Sequence, residues 1–323
     1  MRVGLVYDRF GDTPTPPGAP PDWDAEYEPE ETIVALENAL RHLGHQPVRL
    51  GNVRTLLDRT QAGSLDVDAA INIAESYGSR NREAHAPVLL ELAGVPCIGS
   101  DALTLSVSLD KHLTKVLACD AGLATPDWQV VMSPGPLELA FPVFVKPRYE
   151  GTAKGITPSS RCDNAEALDA EVHRQLVIYQ QDLFVVGFVA GALFRVGVRG
   201  TGPDAETLPV LQRAVERETG IGLHALEDDD TDYVLPGELT PELEAALQRD
   251  ALAIHRALEC RDFSRSDFRV DADGAIWFLE INPLPTFAPD GTFAILAEMA
   301  GEAYEVFLAR VLDQALCRLQ LSA

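Results

Sequence analysis

The first hundred residues alternate between two hydrophobic periodicities. Residues 2–7, "VDAAINIAE" (67–75) and "VPCIG" (95–99) are short, mainly apolar runs that are typical of buried strands. The segments "ETIVALENALRHLGH" (31–45) and "REAHAPVLLELAG" (82–94) carry apolar residues at helical spacing, and a glycine marks the end of each helix. Strands that alternate with helices predict a parallel sheet with flanking helices.

The remaining two thirds of the chain contain further strand and helix patterns. Asn164 and Thr240 are N-cap signals at the start of two helices. Residues 200–240 are acidic, and the pattern there indicates loops. Within the first hundred residues, the loop "GDTPTPPGAPPDWDAEYEPEE" (11–31) is long for a compact domain and is therefore either disordered or functional. The other predicted strands are 141–147, 182–189 and 192–200, and the other predicted helices are 108–122, 164–176, 240–260, 291–300 and 302–319.

A β-hairpin is predicted around "FRVDADGAIWFLEINP" (268–283), where Asp-Gly closes a turn between two strands. Directly opposed residues share a face of the hairpin. A turn closed by Asp271 and Gly274 places three pairs opposite one another: Arg265 and Glu280, Asp267 and Phe278, and Phe268 and Trp277. The predicted core face is Phe268, Val270, Trp277, Leu279 and Ile281, and the predicted polar face is Arg265, Asp267, Glu280 and Asn282.

The polar face of this hairpin offers two carboxylates and an amide to a cation. Mg²⁺ prefers oxygen ligands and is typically held by one or two carboxylates together with substrate phosphates. An exposed ion pair between Arg265 and Glu280, contributing less than about 1 kcal/mol, is the alternative interpretation. That ion pair leaves Asp267 and Asn282 unexplained. The hairpin alone leaves both interpretations open.

A second feature is the loop in "VFVKPRYEGTAKGI" (143–156), which follows a predicted strand. Its small residues would let backbone N–H groups approach a phosphate, and Lys146 supplies a positive charge. Taken alone, the loop also fits a plain turn with glycine at positive φ. Lys111 and Lys115 lie one turn apart on the preceding helix, and we expect Lys115 to be solvated. Combined with the hairpin, the loop predicts a site for a nucleoside triphosphate and Mg²⁺, where Arg265 would neutralise charge that develops during transfer.

Composition narrows the range of partners. The net charge of −24 and the pI near 4.5 argue against nucleic acid or an anionic membrane as a partner. The five cysteines are scattered and contain no CxxC pair, which argues against a disulfide framework or a zinc site and favours the cytoplasm. The longest uncharged apolar run, 183–194, is shorter than the roughly 20 residues of a membrane helix.

Four segments, taken in order, carry a resemblance to a known family: "GVPCIGSDALTL" (94–105), "SLDKHLTKVLACDAGLATPDW" (108–128), "FPVFVKPRYEGTAKGI" (141–156) and "SRSDFRVDADGAIWFLEINPLP" (264–285). Their order and spacing resemble the ATP-grasp carboxylate–amine ligases, specifically the D-alanine–D-alanine ligase-like branch. The resemblance extends from about residue 65 onwards. It implies an α/β, ATP-grasp fold with an N-terminal parallel α/β domain (1–105), a central α+β subdomain (106–190) and a C-terminal α+β subdomain (191–323).

The resemblance also implies roles for individual residues. The chain would be an ATP- and Mg²⁺-dependent ligase that joins a small carboxylate, an amino acid, to an amine through an acyl phosphate. Homodimers are common in the family. Arg265 would stabilise the oxyanion, and two Mg²⁺ ions would be held by Asp267, Glu280 and Asn282. The implied ATP contacts are Lys111, Lys146, Glu150, Gly151, Thr152, Ala153 and Lys154, with adenine held by the backbone near Gly187 and Val189. The substrate candidates are Glu28 or Glu30, Glu75 and Thr286.

Several positions depart from the family pattern. Val186 and Leu193 stand where the family has acidic residues that cradle adenosine, and Thr286 stands where it usually has glycine. Residues 287–292 lack the serine that helps to bind the second D-alanine. The phosphate-contacting lysine and tyrosine are absent, and Arg213 or Arg217 is the candidate replacement. The departures leave two further hypotheses: a non-catalytic relative that binds a small ligand or a partner protein, and a kinase that stops at the acyl phosphate.

Overall fold

The N-terminal part of the chain forms a four-stranded parallel sheet. A computed structural model describes residues 1–222, 232–299 and 301–320. The strand order of this sheet is β2-β1-β3-β4, and every pairing is parallel, as the alternating pattern predicts. Its elements are β1 (Arg2–Tyr7), α1 (Glu30–His42), β2 (Gln46–Gly51), α2 (Val53–Gln61), β3 (Ala69–Ile73), α3 (His85–Leu92) and β4 (Cys97–Ile98).

Two four-stranded antiparallel sheets follow along the chain, and β11 and β12 form a two-stranded antiparallel sheet. The central sheet has the order β5-β8-β6-β7, and the C-terminal sheet has the order β10-β9-β13-β14. The central elements are α4 (Ala102–Leu109), α5 (Lys111–Asp120), β5 (Trp128–Val131), β6 (Val143–Pro147), β7 (Arg161–Cys162), α6 (Ala165–Tyr179) and β8 (Leu183–Gly187). The C-terminal elements are β9 (Ala192–Arg199), β10 (Glu206–Arg213), β11 (Val215–Glu216), β12 (Tyr233–Val234), α7 (Pro241–Ala257), β13 (Phe263–Val270), β14 (Ile276–Asn282), α8 (Thr292–Met299) and α9 (Tyr304–Arg318).

The hydrophobic cores cross the boundaries between these sheets. Helix α9 packs against α1, so that Leu5, Leu36 and Leu312 belong to one buried cluster although they are far apart in the sequence. The C-terminal end of α5 and the segment after it contribute Ala118 and Leu123 to the core of the C-terminal sheet. The division into domains 1–105, 106–190 and 191–323 stays a prediction.

Local signals explain where several helices begin and end. The side chains of Asn164 and Thr240 accept hydrogen bonds from backbone N–H groups in the first turn of α6 and α7, as predicted. The single helix predicted at 108–122 is wrong, because the chain breaks at Asp110 into α4 and α5. Asp110 caps α5 and also binds the Arg148 guanidinium through both carboxylate oxygens, at 2.8 and 2.7 Å.

Within the loop-rich stretch 200–240, the strand β10 at Glu206–Arg213 was not predicted. The acidic run "LEDDDTD" (226–232) lies almost entirely outside the described residues. Among the helices of ranges 1–222, 232–299 and 301–320, none is long and apolar enough to cross a membrane. The cytoplasmic location stays a prediction.

The hairpin of β13 and β14 exists, but its predicted register is wrong. The loop spans 271–275 instead of two residues, and a β-bulge at Leu279 shifts the alternation of β14. The observed pairs are Arg265 with Asn282, Asp267 with Glu280, and Phe268 with Phe278. Phe278 therefore lies in the core, whereas Trp277 and Leu279 do not. The shift brings the two carboxylates of the polar face directly opposite one another.

Candidate active site

One cavity of about 650 Å³ is lined by strand residues of the central and C-terminal four-stranded sheets and by residues outside the strands, including several from the N-terminal part of the chain. The residues predicted to contact metal, ATP or substrate line it, except Glu30, the alternative to Glu28, and Arg217, the alternative to Arg213. These residues are Glu28, Glu75, Lys111, Lys146, Glu150, Gly151, Thr152, Ala153, Lys154, Gly187, Val189, Arg265, Asp267, Glu280, Asn282 and Thr286.

The polar face of β13 and β14 forms one wall of this cavity. Asp267 accepts a hydrogen bond from Arg265 Nε at 2.8 Å, and Lys146 Nζ lies 2.8 Å from Glu280 Oε2. The Lys146 ammonium holds the pKa of Glu280 below its usual range, against the opposing effect of burial. The cross-strand ion pair between Arg265 and Glu280 is therefore wrong, since each residue pairs elsewhere. Two opposed carboxylates and the Asn282 amide supply the oxygen donors that suit Mg²⁺.

The loop after β6 forms a second wall. Thr152 and Ala153 adopt positive φ angles of 43° and 58°, which fold the loop into a tight turn closed by a hydrogen bond from Lys154 N to Gly151 O. A Cβ at position 151 would displace the Glu26 carboxylate, which lies against Gly151. The turn keeps the short side chains of the loop on the cavity wall.

Lys111 and Lys115 occupy different environments on α5. Lys111 donates hydrogen bonds to the backbone carbonyl of Glu150, and burial together with the neighbouring Lys146 lowers its pKa to about 8. The expectation that Lys115 is solvated is wrong. Lys115 is 2 % exposed and donates to Pro126 O at 2.9 Å, and burial lowers its pKa to about 7.

A substantial part of the cavity lining is apolar. Val186 and Leu193 lie there together with Gly187 and Val189. Further apolar lining residues are Phe144, Ile156, Phe188, Ile221 and Leu279. A flat aromatic base would find apolar contacts in this part of the cavity.

The remaining predicted residues lie at a third part of the cavity wall. Glu28 is buried and accepts a hydrogen bond from Thr286 Oγ1 at 3.0 Å, and burial raises its pKa. Glu30 instead pairs with Arg9 and Arg49 at 2.6 and 2.7 Å. Burial, reinforced by the Glu83 carboxylate, raises the pKa of Glu75 well above its usual value.

Comparison with known proteins assigns the family. The family model of the D-ala D-ala ligase C-terminus matches residues 119–313, which is more than half of the chain. The D-alanine–D-alanine ligase of Cupriavidus taiwanensis is 32% identical over 248 residues, 74% of this chain and 73% of that protein. The chain belongs to the D-alanine–D-alanine ligase family. A second ligase of that name, from Bordetella petrii, is 29% identical and aligns with 84% of this chain and 82% of its own length.

Solved structures agree on the fold. VanG D-Ala:D-Ser ligase from Enterococcus faecalis superposes with a TM-score of 0.72 and 17% identity, covering 97% of this chain and 99% of its own. The D-alanine–D-alanine ligase from Bacillus anthracis in complex with ATP gives a TM-score of 0.70 at 19% identity, covering 100% and 99%. The ATP-grasp fold inferred from the sequence is confirmed. The chain is an ATP-dependent ligase that forms C–N bonds.

No sequence pattern indicated the buried ionic cluster beside the phosphate loop of this ligase. Both oxygens of Glu26, which lies in the long acidic loop, accept hydrogen bonds from Arg82 at 2.7 and 2.6 Å. Lys154 Nζ lies 2.6 Å from Glu26 and 3.0 Å from Glu150. Burial alone would raise the pKa of Glu26, but the two cations lower it to about 2. The long loop is therefore ordered in this region and is held against the phosphate loop.

Sequence reasoning also missed two arginines on the same sheet face of the ligase, Arg195 and Arg269. Arg195, Arg213 and Arg269 line the cavity together with Arg265. Arg195 pairs across the strands with Asp267 and interrupts an apolar stretch of β9, a signal that was available in the sequence. Arg217, the alternative to Arg213, instead pairs at the surface with Asp232.

Proposed function

We propose that this ligase joins a small carboxylate, an amino acid, to an amine through an acyl phosphate, using ATP and two Mg²⁺ ions and forming a dipeptide or amide. One observation carries the proposal. The polar end of the β13–β14 hairpin and the phosphate loop face the same cavity, with Lys146 paired to Glu280 between them. The metal-ligand residues, the phosphate-binding residues and an apolar recess for a base therefore line one volume.

The residues present fit Mg²⁺. Asp267, Glu280 and Asn282 would hold it, and the ion would supply charge neutralisation for the phosphates. Lys146 and Glu280 neutralise each other at 2.8 Å. A triphosphate would compensate Lys146 and a cation would compensate Glu280, so that binding of the two ligands would be coupled.

The chain's own residues would then position the reactants. Lys111, Lys146 and the backbone of 151–153 would hold the triphosphate while a carboxylate oxygen of the substrate attacks the γ-phosphorus and ADP leaves. The amine nitrogen would attack the acyl carbon next, and phosphate would leave with the former carboxylate oxygen. Arg265 would stabilise the oxyanion of the tetrahedral intermediate, and Glu28, Glu75 and Thr286 would contact the substrates. Catalysis of this kind is mainly positioning and charge neutralisation.

Calorimetric titration of a non-hydrolysable ATP analogue tests the nucleotide and metal assignment. We expect binding in the presence of Mg²⁺ and about tenfold or weaker affinity without it, because the metal couples the phosphates to the hairpin carboxylates. ADP release is then measured with paired amino acids and amines. Absence of binding under both conditions in folded protein would support the non-catalytic relative. ADP release without an amide product would support the kinase.

The pH dependence of nucleotide binding tests the role of Lys111. Only the protonated ammonium attracts phosphate, and its pKa of about 8 means that affinity should fall as pH rises above that value. A bound triphosphate favours the ammonium and raises its pKa in the complex, so the fall begins near pH 8 and levels off above that raised pKa. We expect the nucleotide affinity to fall roughly tenfold by the alkaline end of the pH range, which is the contribution of one charged hydrogen bond. A Lys111→Met variant should bind weakly with no such fall, whereas an unchanged profile in that variant would contradict the assignment.

A further inference from the structure

The basic part of the sheet face extends beyond the residues that the proposed mechanism uses. Arg195 on β9 lies opposite Asp267 of β13. Arg213 on β10 lies opposite Leu193 of β9. Leu193 and Arg195 are two residues apart on β9, so Arg213 and Arg195 share one face of the sheet. Both arginines line the cavity. In a chain with a net charge of −24, this concentration of guanidinium groups requires an explanation.

The position of Arg195 separates it from the phosphate loop. The strand order β10-β9-β13-β14 places Arg195 and Arg213 on the side of the sheet away from β14, where Glu280 meets Lys146. Helix α8 covers this side, since it packs against β10. Arg195 Nη1 donates to Thr292 Oγ1 at 3.5 Å, at the first residue of α8.

Two guanidiniums of this sheet face depend on one carboxylate. Asp267 is shared by two guanidiniums, with Arg195 Nε at 3.2 Å and Arg265 Nε at 2.8 Å. A surplus of buried positive charge is costly unless an anion compensates it. The planar guanidinium is the side chain that best matches a carboxylate or phosphate.

Two carboxylates on the other walls have partners of their own. Glu26 is held by Arg82 and Lys154, and Glu28 accepts from Thr286. They therefore do not compensate the arginines across the cavity.

We propose that Arg195, together with Arg213 and Thr292, binds an oxoanion that the amine substrate carries in addition to any α-carboxylate. The preferred amine is then an acidic amino acid or a phosphate-bearing amine. This inference rests on the proposed function. Arg195 is the specificity-determining residue: it contacts the distal carboxylate or phosphate and takes no part in the bond-forming steps.

Binding of acidic amines and their neutral counterparts tests this site. The probes are glutamate against glutamine and O-phosphoserine against serine, titrated calorimetrically into the full-length protein with MgADP and without nucleotide. We expect the acidic member of each pair to bind at least about tenfold more tightly, as one charge-assisted contact provides. Arg195→Gln should reduce that preference to less than about threefold, and Arg195→Lys should keep part of it because the charge remains without the planar fork.

The matched control is Arg199→Gln, on the same strand. Arg199 pairs with the exposed Glu206 and does not line the cavity, so its variant should keep the full preference. Equal binding of acidic and neutral probes, or an acidic preference that persists in a folded Arg195→Gln protein, would overturn the inference. A loss of ATP-analogue affinity in Arg195→Gln with the acidic preference intact would assign Arg195 to the nucleotide instead. Failure of the proposed function is distinguishable, because it appears as absence of ADP release with every substrate pair.

Discussion

Replacing Glu280 by glutamine should lower ATP-dependent ADP formation by about 10²- to 10³-fold, the magnitude expected when one group that stabilises transferring charge is removed. The Glu280 carboxylate lies opposite Asp267 and is the part of the hairpin that Lys146 reaches. Glutamine keeps the shape of the side chain but loses the negative charge. The measurement is the initial rate of ADP formation with a competent pair of substrates at saturating Mg²⁺.

The same variant has a second expected signature in binding. Glutamine would no longer hold the Lys146 ammonium, so affinity for a non-hydrolysable ATP analogue without Mg²⁺ should be unchanged or higher. The enhancement of that affinity by Mg²⁺ should be lost. The control is Glu206→Gln, an exposed position on the edge strand β10 of the same sheet. Full turnover by Glu280→Gln, with normal dependence on Mg²⁺, would contradict the metal assignment.

Elements marked by local chemistry could be predicted from the sequence. The N-caps at Asn164 and Thr240 and the parallel N-terminal sheet depend on short-range patterns, and all of them are observed. The register of the β13–β14 hairpin could not be predicted, because the bulge at Leu279 carries no glycine or proline to mark it. An extra residue in one strand moves the following side chains to the other face.

The residues of the candidate site also divide into those that a local sequence pattern indicates and those that no local pattern indicates. Asp267, Glu280 and Asn282 could be grouped from alternation alone, and they share one cavity wall. Arg195 could have been found by applying that alternation to β9. The contacts of Glu26 could not have been found, because its partners lie 56 and 128 residues away and no local pattern connects them. Lys115 was placed wrongly for a related reason, since the groups that bury it come from other elements.

Glu26→Gln should destabilise the protein by about 3–5 kcal/mol, the cost of removing one partner from a buried ion pair. Glu26 compensates two cations that are themselves almost fully buried, Arg82 at 2 % exposure and Lys154 at 3 %. With glutamine, both cations would lose their main compensation in a place that water does not reach. The free energy of unfolding is measured by urea denaturation of the wild type and the variant.

Lys154→Met is the informative counterpart. Methionine keeps most of the apolar volume of the lysine stem, and Glu26 retains both hydrogen bonds from Arg82. The expected loss is therefore smaller, about 1.5–3 kcal/mol for a hydrogen bond between charged groups. Similar losses below about 1 kcal/mol in both variants would mean that the cluster behaves as an exposed ion pair, and the argument from burial would be wrong.

The two variants should also separate stability from the position of the phosphate loop. Gly151 N donates to Glu26 and Gly155 N donates to Asp22, so two amides of the loop are fixed by carboxylates of the long N-terminal loop. In Glu26→Gln, the amide oxygen of the glutamine can still accept a hydrogen bond from Gly151 N, but Lys154 loses the Glu26 carboxylate as a charged partner. Hydrogen exchange at Gly151 and Gly155 should therefore accelerate in both variants, and in Glu26→Gln the acceleration should exceed what global unfolding accounts for. A local opening of the loop exposes these two amides while the core stays folded. Equal exchange rates in the wild type and both variants would therefore mean that Glu26 stabilises the fold without holding the loop.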